Sequence, residues 1–192
     1  MQNPEKNKNI VLAMHNSLGS AFRFVDMAML TGETNYNALN QKLNYGVRNK
    51  KILNPRRGIY TKLNFSYEEV ANKIFIPSYI SLEYVLKQNG IIPQTANDTI
   101  TSACYLSRII TVDDKTLSYN KFKGEILVNP LGVIRTKSVN IATPERAFLD
   151  LLYLEKQYDF VNLDIINTKT IKKLLPIYHS RKLSELVKNV LK

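Results

Sequence analysis

Residues 35–61 read NYNALNQKLNYGVRNKKILNPRRGIYT, and the fold turns on how this stretch is organised. Asn35 is a good N-cap residue for a helix running to about residue 50. Leu39, Leu43 and Val47 recur at i, i+4 and i+8, the spacing of a buried helical seam. The opposite face then presents Tyr36, Asn37, Asn40, Gln41, Asn44 and Arg48. Gly46 weakens such a helix by roughly 1 kcal/mol relative to Ala, so a bend or a turn is expected in its C-terminal half. Two short β runs, 52–53 and 59–61, flank Asn54-Pro55-Arg56-Arg57-Gly58 and predict a tight hairpin.

No acidic residue lies between Glu33 and Glu68, whereas Lys42, Arg48, Lys50, Lys51, Arg56, Arg57 and Lys62 all fall in that interval. A polar helix followed by a positive hairpin is the outline of a winged helix-turn-helix. Two earlier helical patterns complete it. Residues 5–18 carry Ile10, Val11, Met14 and Leu18 at helical spacing, and residues 22–30 form a second short helix stopped by Thr31-Gly32. Asn and Gln pair bidentately with adenine, and Arg with guanine, in the major groove. Arginines at a hairpin tip reach phosphates or a minor groove. The expected DNA contacts are therefore Tyr36, Asn37, Asn40, Gln41, Asn44, Arg48, Lys50, Lys51, Arg56 and Arg57.

Composition agrees with a polyanionic partner. The 192 residues carry 27 Lys/Arg and 16 Asp/Glu, a formal net charge of +11. Residues 1–63 hold ten of the basic and three of the acidic groups, so most of the excess lies in the first third. Cys104 is the only cysteine, which excludes an internal disulfide and fits a reducing cytoplasm. With His15 and His179 the only histidines, a Cys/His zinc site is also excluded, and no metal or cofactor is expected. The first residues lack the apolar run of a signal peptide. No stretch approaches the roughly 18 apolar residues of a membrane span, so no membrane partner is expected.

Past the hairpin, Ser66 and Glu69 have capping-box spacing at the start of a linking helix over 64–76, with Phe65 and Val70 at the hydrophobic-staple positions. A further helix is expected in IPSYISLEYVLKQNG, capped by Ser78 or Ser81 and closed by Gly90. From residue 99 the pattern becomes strand-like, with runs at 99–105, 108–112, 116–123, 125–129 and 137–141. Thr143-Pro144 then opens a helix with an N-cap hydroxyl and a proline at N1, and residues 163–192 hold two more amphipathic helices. The expected architecture is α+β. A winged helix-turn-helix over 1–63 is joined by a linking helix (64–78) to a mixed domain (79–192) with a small, mostly antiparallel sheet and flanking helices.

No catalytic constellation stands out, and an enzyme is not expected. The seven glycines are scattered at turns and cradle no phosphate. One pattern supports an alternative: Asp98, Asp113 and Lys115 have the order of a D…D-x-K metal-dependent nuclease. Asp113-Asp114-Lys115 is equally a polar hairpin tip.

Three segments carry a family resemblance. Pro77-Ser78-Tyr79-Ile80-Ser81-Leu82 with Gly90-Ile91, and Ile141-Ala142-Thr143-Pro144-Glu145-Arg146-Ala147-Phe148-Leu149-Asp150, resemble segments of AbiEi-type antitoxins, the transcriptional regulators of type IV toxin–antitoxin systems associated with phage defence. Arg57-Gly58-Ile59-Tyr60 is similar to the R-G-x-Y that ends their N-terminal winged helix. The resemblance spans roughly residues 20–155. It implies a repressor that binds inverted repeats in its own promoter. It also implies a C-terminal domain that neutralises a nucleotidyltransferase toxin without forming a stable complex with it. Glu145, Arg146 and Asp150 match the family motif, although helix capping and an internal ion pair account for them equally well. The remaining alternative is a winged-helix regulator with no toxin partner, its C-terminal domain serving ligand sensing or dimerisation.

Overall fold

The computed structural model describes residues 9–94, 98–136 and 138–191. It is a mixed α+β protein whose chain divides into two compact units, Met1–Ile74 and Phe75–Lys192. Among the described residues no helix is long and apolar enough to cross a membrane.

The first unit holds helices α1 (Ile10–Asn16), α2 (Phe24–Thr31), α3 (Tyr36–Arg48) and α4 (Tyr67–Ile74), with strands β1 (Ala21–Arg23), β2 (Leu53–Arg56) and β3 (Ile59–Thr61). The strands form one antiparallel sheet in the order β1-β3-β2. Asn9 caps α1 by accepting from the Val11 amide; residues 5–8 of the expected first helix lie outside the described residues. The second helix starts later than the sequence pattern suggests. Phe22 is in β1, opposite Tyr60, and α2 begins only at Phe24. The Arg23 backbone is extended, and Asp26 accepts from its amide, which fixes the switch from strand to helix. The core is formed by Ile10, Met14, Phe22, Met27, Leu39, Leu43, Ile52 and Tyr60. Gly46 does not end α3, which continues to Arg48. It is buried where the helix passes Ile52, and an added Cβ there would meet Ile52 Cγ1 and Cδ1 at 3.1 Å.

Residues 64–78, expected as a link, divide between the units. α4 stays in the first, and strand β4 (Ser78–Ile80) belongs to the second. The capping box at Ser66 is only half formed. Ser66 Oγ accepts from the Glu69 amide, while the Glu69 carboxylate turns away to accept from the Ser20 and Ala21 amides. Glu69 thus ties α4 to the start of β1.

In the second unit, a six-stranded mixed sheet has the order β6-β7-β5-β4-β9-β8. Its further strands are β5 (Thr99–Cys104), β6 (Arg108–Val112), β7 (Lys115–Lys121), β8 (Val133–Arg135) and β9 (Asn140–Ala142). Three pairings are antiparallel, but β4–β9 and β5–β7 are parallel, the latter because β7 folds back from the β6 hairpin to lie beside β5. Two expectations fail here. The helix expected from Ser78 is strand β4 followed by α5 (Glu83–Gln88); Tyr79 and Ile80 pair with β5, and Leu82 at φ 61° interrupts any continuous helix. Residues 125–129 are not a strand but lie largely in helix α6 (Gly124–Val128), which buries Ile126 and Leu127. Of the strand expected over 137–141 only residues 140–141 are strand, the start of β9, whose partner β8 was not expected; Lys137 lies outside the described residues. Helix α7 (Pro144–Tyr153) starts as the sequence dictates, with Thr143 Oγ1 accepting from the Arg146 amide. Helices α8 (Thr168–Leu174) and α9 (Arg181–Val190) close the chain.

Candidate functional site

Helix α3 is held from both ends. Asn35 accepts from the Ala38 amide at its start, and Leu39 and Leu43 are fully buried along its inner side. Its end is a Schellman-type closure in which the Lys51 amide donates to Gly46 O and the Lys50 amide to Val47 O, both at 2.9 Å. The left-handed residue of that motif is ordinarily glycine; here it is Lys50, at φ 53°.

With the inner side fixed, about 100° of rotation per residue places Asn37, Gln41, Asn44 and Arg48 within an arc of roughly 60°, and all four are exposed. The other two expected positions stand apart. Asn40 is half-buried beside the seam, and the Tyr36 ring lies against Phe24, 4.5 Å between centroids. Tyr45, absent from the expected set, is 58% exposed between Gln41 and Arg48. Its spacing, i+4 from Gln41 and i−3 from Arg48, was the signal that could have found it. An open groove of about 830 Å³ between α1 and α3 is lined by Gln41, Tyr45, Arg48 and Lys51 over a floor of Ile10 and Gly46.

The β2–β3 hairpin is equally well braced. Asn54 Nδ2 donates to Arg56 O at 2.8 Å and to Ile59 O at 2.6 Å, and Gly58 takes φ 81° at the turn. The Phe24 amide donates to Gly58 O at 3.1 Å, tying the tip to the start of α2. The described acids of this unit are engaged elsewhere, Glu68 accepting from the Ser66 hydroxyl. Asp26 pairs with Arg23 and Lys73, Glu33 with Lys42, and Glu69 with backbone amides. Burial raises the Asp26 carboxyl, but the hydrogen bonds from Arg23 and Lys73 outweigh it and hold it below the usual range. Among the described residues, the side chains of Arg48, Lys50, Lys51, Arg56 and Arg57 have no ion-pair or hydrogen-bond partner, which leaves a contiguous sequence block of uncompensated positive charge.

In the second unit, Arg146 and Asp150 have no exposed side-chain surface. Arg146 donates to Leu131 O, Ile126 O and the Tyr79 hydroxyl; Asp150 accepts from Tyr79, Ser81 and Tyr178. Burial and the Asp150 charge keep both tyrosines protonated far above the ordinary phenol range. Glu145 accepts from the Asn167 amide, joining α7 to the start of α8. Arg146 and Asp150 are therefore internal braces, and Glu145 is a partly exposed one. Asp98 forms an ion pair with Lys115, while Asp113 sits at the β6–β7 turn at φ 52°. Among the described residues no group of three His, Cys, Asp or Glu side chains could hold a metal ion. Cys104 is buried, and burial pushes its thiol up.

No protein-family model matches the sequence, and no curated protein matches it at a significant level.

Proposed function

We propose that the chain is a sequence-specific, double-stranded-DNA-binding transcriptional repressor whose first unit is a winged helix-turn-helix. The observation that carries this reading is the single exposed arc of Asn37, Gln41, Asn44 and Arg48 on a helix fixed by its caps and seam, next in the chain to a braced hairpin bearing unpaired Arg56 and Arg57. The order helix, strand, helix, helix, hairpin, with β1 added to the hairpin as β1-β3-β2, supports it. In this reading α3 enters the major groove and its amides and Arg48 address base edges, while Lys50, Lys51, Arg56 and Arg57 contact phosphates or a flanking minor groove. The resemblance to AbiEi-type antitoxins extends the proposal. The chain represses its own promoter at inverted repeats, and its second unit opposes a nucleotidyltransferase toxin without a stable complex. Arg146 and Asp150 are fully buried, so in this reading the toxin-opposing surface uses other side chains than these two.

The test is titration of the full chain against its own upstream DNA and a random duplex at several salt concentrations. Affinity for both falls steeply with salt, and the upstream DNA is bound at least about 10³-fold more tightly at physiological salt. Arg56→Ala with Arg57→Ala weakens all sequences alike and lowers the salt slope by about 2, whereas Asn44→Ala relaxes preference at one base pair. Equal affinity for the two duplexes ends the repressor reading. An adjacent nucleotidyltransferase gene, with rescue of its toxicity by the full chain in trans, separates the antitoxin from a plain regulator.

A further inference from the structure

Strand β6 is an edge of the six-stranded sheet: among the described residues of its unit it pairs only with β7, so its outer side presents backbone N–H and C=O groups with no ladder partner among them. Natural edges are usually shielded by a proline, a bulge or an inward charge. β6 has neither a proline nor a bulge, and its one charged residue, Arg108, stands exposed at the strand end. Its five residues pair with β7 in unbroken register, and the side chains of Ile109, 71% exposed, and Thr111 point away from the core. Arg108 stands at one end of the strand and Asp114 just beyond the other. Both are exposed, and neither side chain has an ion-pair partner among the described residues.

The geometry points to antiparallel pairing of β6 with the same strand of a second copy of this chain, giving a two-fold dimer. The register that uses all five residues is centred on Ile110. It places Arg108 opposite Val112 and Ile109 opposite Thr111 of the other copy. Arg108 then faces the β6–β7 turn that directly follows Val112 of the other copy and carries its Asp114, within reach of a long arginine side chain, and the two-fold axis makes this approach twice. Sliding the strands by one step, to centre on Ile109, brings the two Arg108 side chains diagonal to each other and leaves both Asp114 beyond the ladder. The charges therefore select one register, as well as a self-complementary partner over a foreign strand. A ladder of five residues is small, so the dimer is weak and concentration-dependent. It does not rest on the DNA reading, although it supplies the two-fold symmetry that inverted repeats call for.

Sedimentation velocity of the full chain at low salt, without DNA, tests the proposal. A monomer–dimer equilibrium is expected across a concentration series. Arg108→Asp and Asp114→Arg, each placing like charges across the axis twice, weaken association by roughly tenfold, and the double variant restores it. Both positions are exposed, and circular dichroism verifies that the variants fold. An independent readout is oxidation of the Ile109→Cys, Thr111→Cys variant, which gives a covalent dimer released by reduction; buried Cys104 takes no part. A single monomer mass throughout the series, reversals that leave association unchanged, a double variant no better than the singles, or no cross-link overturns the proposal. DNA affinity is not read in any of these experiments, so their outcome stands apart from that of the repressor reading.

Discussion

Arg146 and Asp150 lie one helical turn apart on α7 with 3.4 Å between Nε and Oδ1, and neither has any solvent-exposed side-chain surface. Three hydroxyl donors complete the shell of Asp150. Removing either charge leaves the other buried without its counter-ion, which costs about 3–5 kcal/mol. Asp150→Ala is thus expected to shift the urea transition of the second unit by that amount. Arg146→Met with Asp150→Leu costs less than the sum of the single changes. Specific DNA binding by the folded fraction is unchanged. Additive losses would show that the pair is not a coupled unit.

Lys50 closes α3 in the left-handed conformation, at φ 53°, where a side chain costs roughly 1 kcal/mol relative to glycine. Lys50→Gly is expected to stabilise the first unit by about that much and to lower the salt slope of DNA binding by about 0.9, the share of one phosphate contact. Opposite signs in the two measurements would mean that backbone strain is retained to keep a cation at this position. A stabilised variant with an unchanged salt slope removes Lys50 from the DNA contacts.

The Asp26 carboxyl is held below its ordinary range, so it binds protons less readily in the folded than in the unfolded chain. Its contribution is fully present above the unfolded value, near pH 4, and is lost as pH falls through the lowered folded value. Asp26→Asn is therefore expected to cost about 1–2 kcal/mol at pH 7, from the lost bonds to Arg23 and Lys73. Wild type and variant converge as the pH falls below about 4. Urea midpoints across pH 7 to 3 would show it; a gap that persists at pH 3 assigns the loss to packing.

How much was legible in the sequence follows from how local each determinant is. α3 could be read because its cap, Asn35, and its seam, Leu39 and Leu43, lie within nine residues of one another. The hairpin could be read from Asn54 to Gly58 for the same reason. β1 could not, since Phe22 continues an apolar helical pattern and becomes a strand only through Tyr60, far along the chain. β4 was hidden in the same way: Ser78 and Ser81 imitate helix caps, whereas their segment is set by pairing with β5 and β9. α6 carries Ile126 and Val128, which favour strands, yet the helix buries Ile126 and directs its carbonyl at Arg146. For the candidate site, the ten named residues fall on α3, its closure and the hairpin. The sequence could not reveal that Asn40 is half-buried or that Asp150 gathers Tyr79, Ser81 and Tyr178 from distant segments.

Gly58 and Gly132 both take positive φ, 81° and 72°, yet alanine is expected to cost very different amounts at the two. At Gly58, on the hairpin tip, an added Cβ meets nothing within 4 Å, so only the conformational cost of roughly 1–2 kcal/mol applies. At Gly132 the Cβ would lie 2.9 Å from Arg146 Cβ and 3.1 Å from Leu174 Cδ1. The Gly132 carbonyl also accepts from the Thr143 amide at the start of α7, so the backbone cannot easily retreat. Gly132→Ala should then cost about 3 kcal/mol or more, with overpacking added to strain, and should loosen the burial of Arg146. Gly58→Ala should leave the second unit's unfolding transition where it is. Chemical denaturation followed by tyrosine fluorescence compares the two, and equal losses would mean that the contact at Arg146 relaxes without cost.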